Sequence, residues 1–244
     1  MATHISRHFH TQGHRIACIY SRTRESAERL AGELRTSGTS DPGQVPREAD
    51  FFILCVPDRS LEEIAARFRD RKGIWLHTAG ALPMDIYQGA RDKYGVLYPI
   101  QSLSRERKVR LGHIPFLVEG SSPQVQELIM DLAGSISAFV EPADSRTRLV
   151  VHLAAVIANN FSNHMVHVAY RILEESRLDP ALLDPLLEET FEKIRELDPG
   201  TAQTGPAVRG DTETMNKHIE LLKDHPEWEK LYTFMSRDIQ RTRK

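Results

Sequence analysis

The sequence contains no Gly-x-Gly triplet anywhere in its 244 residues, only two cysteines, and no excess of charge of either sign. Each of these shortages excludes something. Cys18 and Cys55 both sit inside apolar runs, so they build neither a disulfide framework nor a paired-cysteine metal site, and a reducing cytoplasm is the expected compartment. Lys and Arg number 32 against 34 Asp and Glu, and residues 1–145 carry 18 of each sign. No basic domain therefore marks a nucleic-acid surface. Met1 to His14 lacks the apolar stretch of a signal peptide. One charge-free stretch, Leu149 to Tyr170, has the length of a membrane span, but three Asn and three His interrupt it, and it reads as a buried helix. With 14 glycines, 13 prolines and 40% hydrophobic residues, the composition is that of a globular protein, not of collagen or a disordered chain.

What is present is an alternation of short β-like runs and amphipathic helical ones over the first two-thirds of the chain, the pattern of parallel βαβ units. The strands are expected at Arg15–Tyr20, Phe51–Val56, Gly73–His77, Val96–Ile100, Phe116–Val118 and Ala138–Glu141, and helices at Glu25–Leu34, Leu61–Phe68, Met84–Ala90 and Gln124–Ala133. Phe51–Val56 is apolar throughout, as a strand covered on both faces should be. From about Asp144 strands disappear. Leu149, Leu153, Val156, Ile157, Phe161, Met165, Val168 and Ile172 recur at spacings of three and four, one continuous helical face. Further helices are expected over Pro180–Leu197 with Asp179 as N-cap, from Asp211 to about Lys223, and over Glu227–Gln240, with Asp198–Gly210 a loop. The expected organisation is an α/β domain over 1–143 and an all-helical one over 144–244.

A dinucleotide-binding domain opens with a strand and a Gly-x-Gly-x-x-Gly turn, because only glycine lets the backbone approach a pyrophosphate at a helix N-terminus. Here the chain opens instead on a short helix, Ala2–Gln12, with Gly13 after it and the strand Arg15–Tyr20 next. That is the second half of such a unit, without its first strand and turn.

Several co-linear segments carry a resemblance: Ile19-Tyr20-Ser21-Arg22-Thr23, Cys55-Val56-Pro57-Asp58, His77-Thr78-Ala79-Gly80, Tyr98-Pro99-Ile100-Gln101-Ser102, His152-Leu153-Ala154-Ala155, Asn159-Asn160-Phe161-Ser162-Asn163-His164 and Gln203-Thr204-Gly205-Pro206-Ala207-Val208-Arg209. Over essentially its whole length the chain resembles the bacterial proteins that join a Rossmann-like domain to the C-terminal domain of unknown function 2520. It is more distantly similar to pyrroline-carboxylate reductases, prephenate dehydrogenases and β-hydroxyacid dehydrogenases. The resemblance implies a doubly wound Rossmann-like sheet and a helical substrate and dimerisation domain like that of 6-phosphogluconate dehydrogenase. Met1 stands where that family has a Val, as a GTG codon read as a start would produce, so a chain shortened at its N-terminus is the expectation.

The candidate site residues follow from strand ends and from this resemblance. Ser21, Arg22 and Thr23 end a strand where an NAD enzyme carries an acid for the ribose and an NADP enzyme an Arg for the 2′-phosphate, so Arg22 favours NADP over NAD. Cys55, Val56 and Pro57, with Thr78, Ala79 and Gly80, end two further strands at the same edge and are candidate cofactor contacts, Cys55 as a small buried hydrophobe. His77 titrates near neutrality and is a candidate acid or base. Tyr98 and Gln101, in a loop that resembles a substrate-facing one, are candidate substrate contacts, with Tyr98 standing where prephenate-type enzymes have a His. On the long helix, His152, Asn159, Asn163, His167 and Tyr170 form a polar stripe, with Asn160 and His164 beside it. Asn159 is a candidate substrate contact, and His152, Asn160 and His164 are candidates for catalysis. The lysine that β-hydroxyacid dehydrogenases place one turn before an Asn is here Val156 or Ala155, so that chemistry is not carried over. Arg209, beside a helix N-terminus, is a candidate clamp for a substrate carboxylate or phosphate. His4, His8, His10 and His14 have no Cys or carboxylate to complete a metal shell, and no metal is expected. The expected activity is NADP-dependent hydride transfer to or from a small carbonyl, imine or hydroxy substrate in a homodimer joined through the helical domain, with no nucleic-acid or membrane partner. The competing expectation is a nucleotide-binding or interaction module without turnover.

Overall fold

A computed structural model describes residues 1–103, 109 and 111–242. The chain divides into two compact units, Met1–Phe161 and Ser162–Lys244. The first opens with α1 (Ala2–Thr11), whose buried face carries His4, Ile5 and Phe9 and which ends before Gly13 in the left-handed region (φ 85°). Then come β1 (Cys18–Tyr20), α2 (Arg24–Leu34), β2 (Ser37–Thr39), β3 (Glu48–Leu54), α3 (Leu61–Arg67), β4 (Lys72–His77), β5 (Tyr94–Pro99), β6 (Phe116–Gly120), α4 (Pro123–Gly134), β7 (Val140–Pro142) and α5 (Ser145–Ala155). A π-helical segment, Val156–Phe161, closes the unit.

The expected single sheet is in two pieces. β1 and β2 form a parallel pair, while β3-β4-β5-β6-β7 make a separate five-stranded sheet, parallel except where β5 meets β6. Strand alternation sends Ile74, Leu76, Leu97, Phe116 and Val118 to one face, where α1 and α4 cover them, and Leu54 and Trp75 to the other, against Leu61, Ala65 and Phe68. β3 pairs only with β4 among the described residues, and Phe51, Phe52 and Ile53 are therefore half-buried, not enclosed as their unbroken apolar run predicts. β2, which the sequence pattern does not announce, is Ser-Gly-Thr. Gly38 is there because α2 lies so close that a Cβ would meet the Ala27 backbone at 2.7 Å.

The second unit holds α6 (Ser162–Glu175), α7 (Asp184–Glu196), the one-turn helices α8 (Pro199–Ala202) and α9 (Pro206–Arg209), α10 (Thr212–Leu221) and α11 (Pro226–Thr242). The helix expected over Pro180–Leu197 breaks into a 3₁₀ turn at Pro180–Leu183 and then α7, because Pro185 has no N–H to continue a helix and fits only near a start. Likewise the expected helix Met84–Ala90 is a 3₁₀ turn, Met84–Tyr87, followed by Gly89 at φ 74°. Asp211 caps α10 by accepting from the Thr214 N–H at 3.0 Å, as expected.

The long apolar face is not buried. Leu149, Leu153, Ile157 and Phe161 are 48–58% exposed, and of the expected series only Val168 is enclosed. The spacing rightly identifies a helix, but among the described residues that face is left largely exposed. Among the described residues no helix is long and apolar enough to cross a membrane.

Candidate functional site

The carboxyl ends of β3, β4 and β5 lie side by side, since these strands are neighbours and parallel. Residues just past those ends are where open α/β sheets place ligands. Thr78 Oγ1 donates to the Leu54 carbonyl at 3.4 Å, tying the end of β4 to that of β3. Burial pushes the Cys55 thiol up to about 11, with a hydrogen bond from Thr78 opposing, so Cys55 stays a neutral thiol.

His77 is fully buried, and its Nδ1 accepts the Ala79 N–H at 3.2 Å. Burial, helped by the nearby Arg148 charge and opposed by the Pro83 backbone, pushes it down to about 4. His77 is therefore neutral around pH 7, held by its own loop. A histidine kept neutral in the fold stabilises fully above its unfolded value near 6.5, and that stabilisation is lost as the pH falls toward about 4. Because one pKa unit is worth about 1.4 kcal/mol, the loss totals about 3 kcal/mol. The melting temperature is expected to fall through this window and His77→Asn to flatten the fall; equal slopes for the two proteins would contradict the buried neutral ring.

Tyr98, at the end of β5, meets His152 on α5. The hydroxyl and His152 Nδ1 are hydrogen-bonded at 3.0 Å, with the rings edge-to-face at 5.9 Å between centroids. Tyr98 is buried, which raises its pKa above the ordinary 10, while the Arg148 charge opposes. Between them lies Gly80. A Cβ there would sit 2.6 Å from His152 Nδ1 and 2.9 Å from Tyr98 Cε2, so any side chain at this point of the loop after β4 would displace one of the pair.

Beneath the pair is a network that the sequence patterns do not single out. Arg148 is fully buried and donates to Glu119 at 2.5 Å and to the Leu82 carbonyl at 2.6 Å. Ser145 donates to Glu119 through its N–H at 3.0 Å and its hydroxyl at 2.8 Å. Asp144 caps α5 by accepting the Thr147 N–H at 2.7 Å. The first turn of α5 is thereby fixed to β6 and to the loop after β4, and His152 follows Arg148 by one turn. The available signal was Arg148, the second of two arginines in the first turn of an otherwise apolar helix, matched by a lone Glu near the end of an apolar strand.

Most of the other candidates are open to solvent. Ser21, Arg22 and Thr23 follow β1, with Arg22 exposed and without an ion-pair partner among the described residues. Thr23 is the N-cap of α2 and makes no side-chain capping bond, and Glu25 stands in the first turn of that helix. Gln101 is exposed and accepts from the Ser102 N–H at 2.9 Å. Asn159 and Asn160 are exposed in the π-helical segment, their amides 3.4 Å apart. His164 on α6 and Arg209 at the end of α9 belong to the second unit, both exposed. For two of the N-terminal histidines the partners are structural: His8 Nε2 accepts the Leu111 N–H, and His14 is bonded to Ser135. No group of three metal-binding side chains is present among the described residues. A cavity of about 520 Å³ lies at the amino ends of β1 and β2, lined by His10, Arg15, Arg35 and Ser37, at the opposite end of those strands from Arg22.

Two family models match the chain: the domain of unknown function DUF2520 over residues 114–239, and the NADP oxidoreductase, coenzyme F420-dependent family over residues 1–75. No curated protein matches. Among solved structures, a "putative NADP oxidoreductase" from Bacteroides fragilis is 37% identical, with 98% of this chain and 94% of that one covered and a TM-score of 0.93. A protein from Thermotoga maritima is 22% identical over 99% of this chain and 96% of that one, with a TM-score of 0.79. The pyrroline-5-carboxylate reductase of Coxiella burnetii shares the fold at 12% identity, covering 100% and 95%, with a TM-score of 0.54.

Proposed function

The chain belongs to the DUF2520 family, and from that premise we propose that it is an NADP-dependent oxidoreductase acting on a small carbonyl, imine or hydroxy compound. The observation that carries the reading is the alignment of three strand ends, Cys55–Pro57, Thr78–Gly80 and Tyr98, with the uncommitted Arg22 at the end of β1. Arg22 fits the 2′-phosphate of NADP, since it offers positive charge and no acid stands at Ser21–Thr23, Glu25 in the first turn of α2 being the nearest in sequence. Thr78–Gly80 and Cys55–Pro57 would line the remainder of the nucleotide, although no Gly-rich turn for the pyrophosphate occurs within these residues. When bound, the nicotinamide supplies or accepts the hydride. The protein supplies orientation and a proton.

The half-cofactor adenosine 2′,5′-bisphosphate tests the reading most directly, because it needs only the Arg22 end. It is expected to bind more tightly than 5′-AMP by about tenfold or more, the effect of roughly one charge-assisted contact, and Arg22→Ala should remove the difference. NADPH oxidation should then follow on addition of some member of a panel of short ketones and cyclic imines. Equal binding of the two nucleotides, together with no NADPH oxidation across the panel, would end the oxidoreductase reading.

A further inference from the structure

We infer that Tyr98 is the residue that protonates the substrate and that His152 is its relay to solvent. This rests on the oxidoreductase reading above and names the acid within that site. Four observations converge on the pair. Its two members come from elements 54 residues apart and meet in a hydrogen bond of 3.0 Å. The loop beside them carries glycine at position 80, where a side chain would press on both rings. The ring of Tyr98 is buried while His152 is only half-buried, so one end of the pair is sheltered and the other reaches water. Finally, α5, which carries His152, is anchored one turn earlier by the buried Arg148.

His77, the other histidine of the region, is enclosed and kept neutral by burial and by the Arg148 charge, so it has no route to exchange a proton with solvent. Tyr98 is protonated across the neutral range because burial holds its pKa above 10, and the Arg148 cation eases formation of the phenolate. These are the properties of an acid that gives up its proton only as negative charge develops on a neighbouring atom. In the productive tautomer His152 Nδ1–H donates to the Tyr98 oxygen, leaving the Tyr98 O–H free to donate to a substrate.

In the reductive direction the substrate carbon gains hydride from the reduced nicotinamide, and the C=O or C=N π pair moves to the heteroatom. That heteroatom takes the Tyr98 proton. The phenolate takes the Nδ1 proton of His152, and Nε2 takes one from water. The substrate therefore gains one hydride and one proton, the nicotinamide is oxidised and the solvent supplies the proton; His152 is left as the Nε2–H tautomer and exchanges back to the Nδ1–H form through solvent before the next turnover.

Two measurements on the full chain test this, the first without any ligand. The ¹⁵N signal of His152 Nδ1 should move on Tyr98→Phe, because removing the hydroxyl removes its hydrogen-bond partner. The second is steady-state reduction of whichever ketone or cyclic imine of the panel turns over. Tyr98→Phe and His152→Gln should each lower kcat by about 100-fold or more, the usual worth of a general acid, with KM for NADPH unchanged and the solvent isotope effect on kcat altered. A kcat for Tyr98→Phe within about threefold of the parent, or an unmoved Nδ1 signal, would overturn the assignment. Absence of turnover across the whole panel, with equal binding of the two nucleotides, would instead strike the oxidoreductase reading, and the ligand-free Nδ1 signal would still decide whether the pair exists.

Discussion

Replacing Arg148 with Met should lower the melting temperature by about 6–20 °C, the largest stability effect expected of any single side chain in the first unit. The reason is asymmetry. Arg148 and Glu119 are 1% and 13% exposed, and their charges are compensated by each other, by Ser145 and by the Leu82 carbonyl. Removing one partner strands the other charge in a medium that solvates it poorly, at a cost of about 3–5 kcal/mol. For a chain of this size each kcal/mol is worth about 2–4 °C. Replacing both, as Glu119→Leu with Arg148→Met, should restore most of the loss, because a well-packed apolar pair is about as good as a buried ion pair. Thermal denaturation of the two singles and the double forms a complete cycle. A single variant that melts within about 2 °C of the parent would mean the ion pair is solvated and the network does not anchor α5.

The strands were legible where packing alone decides them. β4 and β5 read clearly because Ile74-Trp75-Leu76 and Val96-Leu97-Tyr98 are enclosed on both faces. β2 was invisible because Ser37-Gly38-Thr39 has neither apolar alternation nor a β-branched pair. It is a strand because β1 lies beside it and because glycine lets α2 come close. The division of the sheet between β1 and β3 was also beyond reach, since hydrophobic pattern reports burial and not which edges are hydrogen-bonded. The same limit explains the long helix: spacings of three and four identify the face of Leu149, Leu153 and Phe161, yet say nothing about what covers it.

The site was legible residue by residue but not as an arrangement. Thr78, Gly80, Tyr98 and His152 were each singled out, three from strand ends and one from a helix stripe. Their meeting depends on where α5 is anchored, which Arg148, Glu119 and Ser145 decide through side chains far apart in sequence. His77 is a residue to which the surroundings add what its type does not show. Its type and position mark it as an acid or base, whereas complete burial makes it a neutral ring that accepts from its own loop.

Gly80→Ala should then be the substitution that separates catalysis from folding. The added methyl would lie 2.6 Å from His152 Nδ1 and 2.9 Å from the Tyr98 ring, inside any permitted contact. Neither neighbour is backbone, and His152 is half-buried, so the cheapest response is for the imidazole to swing away. The backbone at Gly80 needs no left-handed conformation, so alanine adds no strain of its own there. The fold should lose no more than about 1–3 kcal/mol, as overpacking by one methyl usually costs. Activity should fall much further: with the hydrogen bond of 3.0 Å broken, the relay to Tyr98 is lost, and kcat should drop by about 100-fold, the lower end of what a positioned acid contributes. Adenosine 2′,5′-bisphosphate, which depends on Arg22, should bind as before. The ¹⁵N signal of His152 Nδ1 should move as it does in Tyr98→Phe, since both changes break the same bond. A Gly80→Ala protein with parental kcat would show that the loop after β4 yields instead of the imidazole, and that the pair does not depend on the glycine.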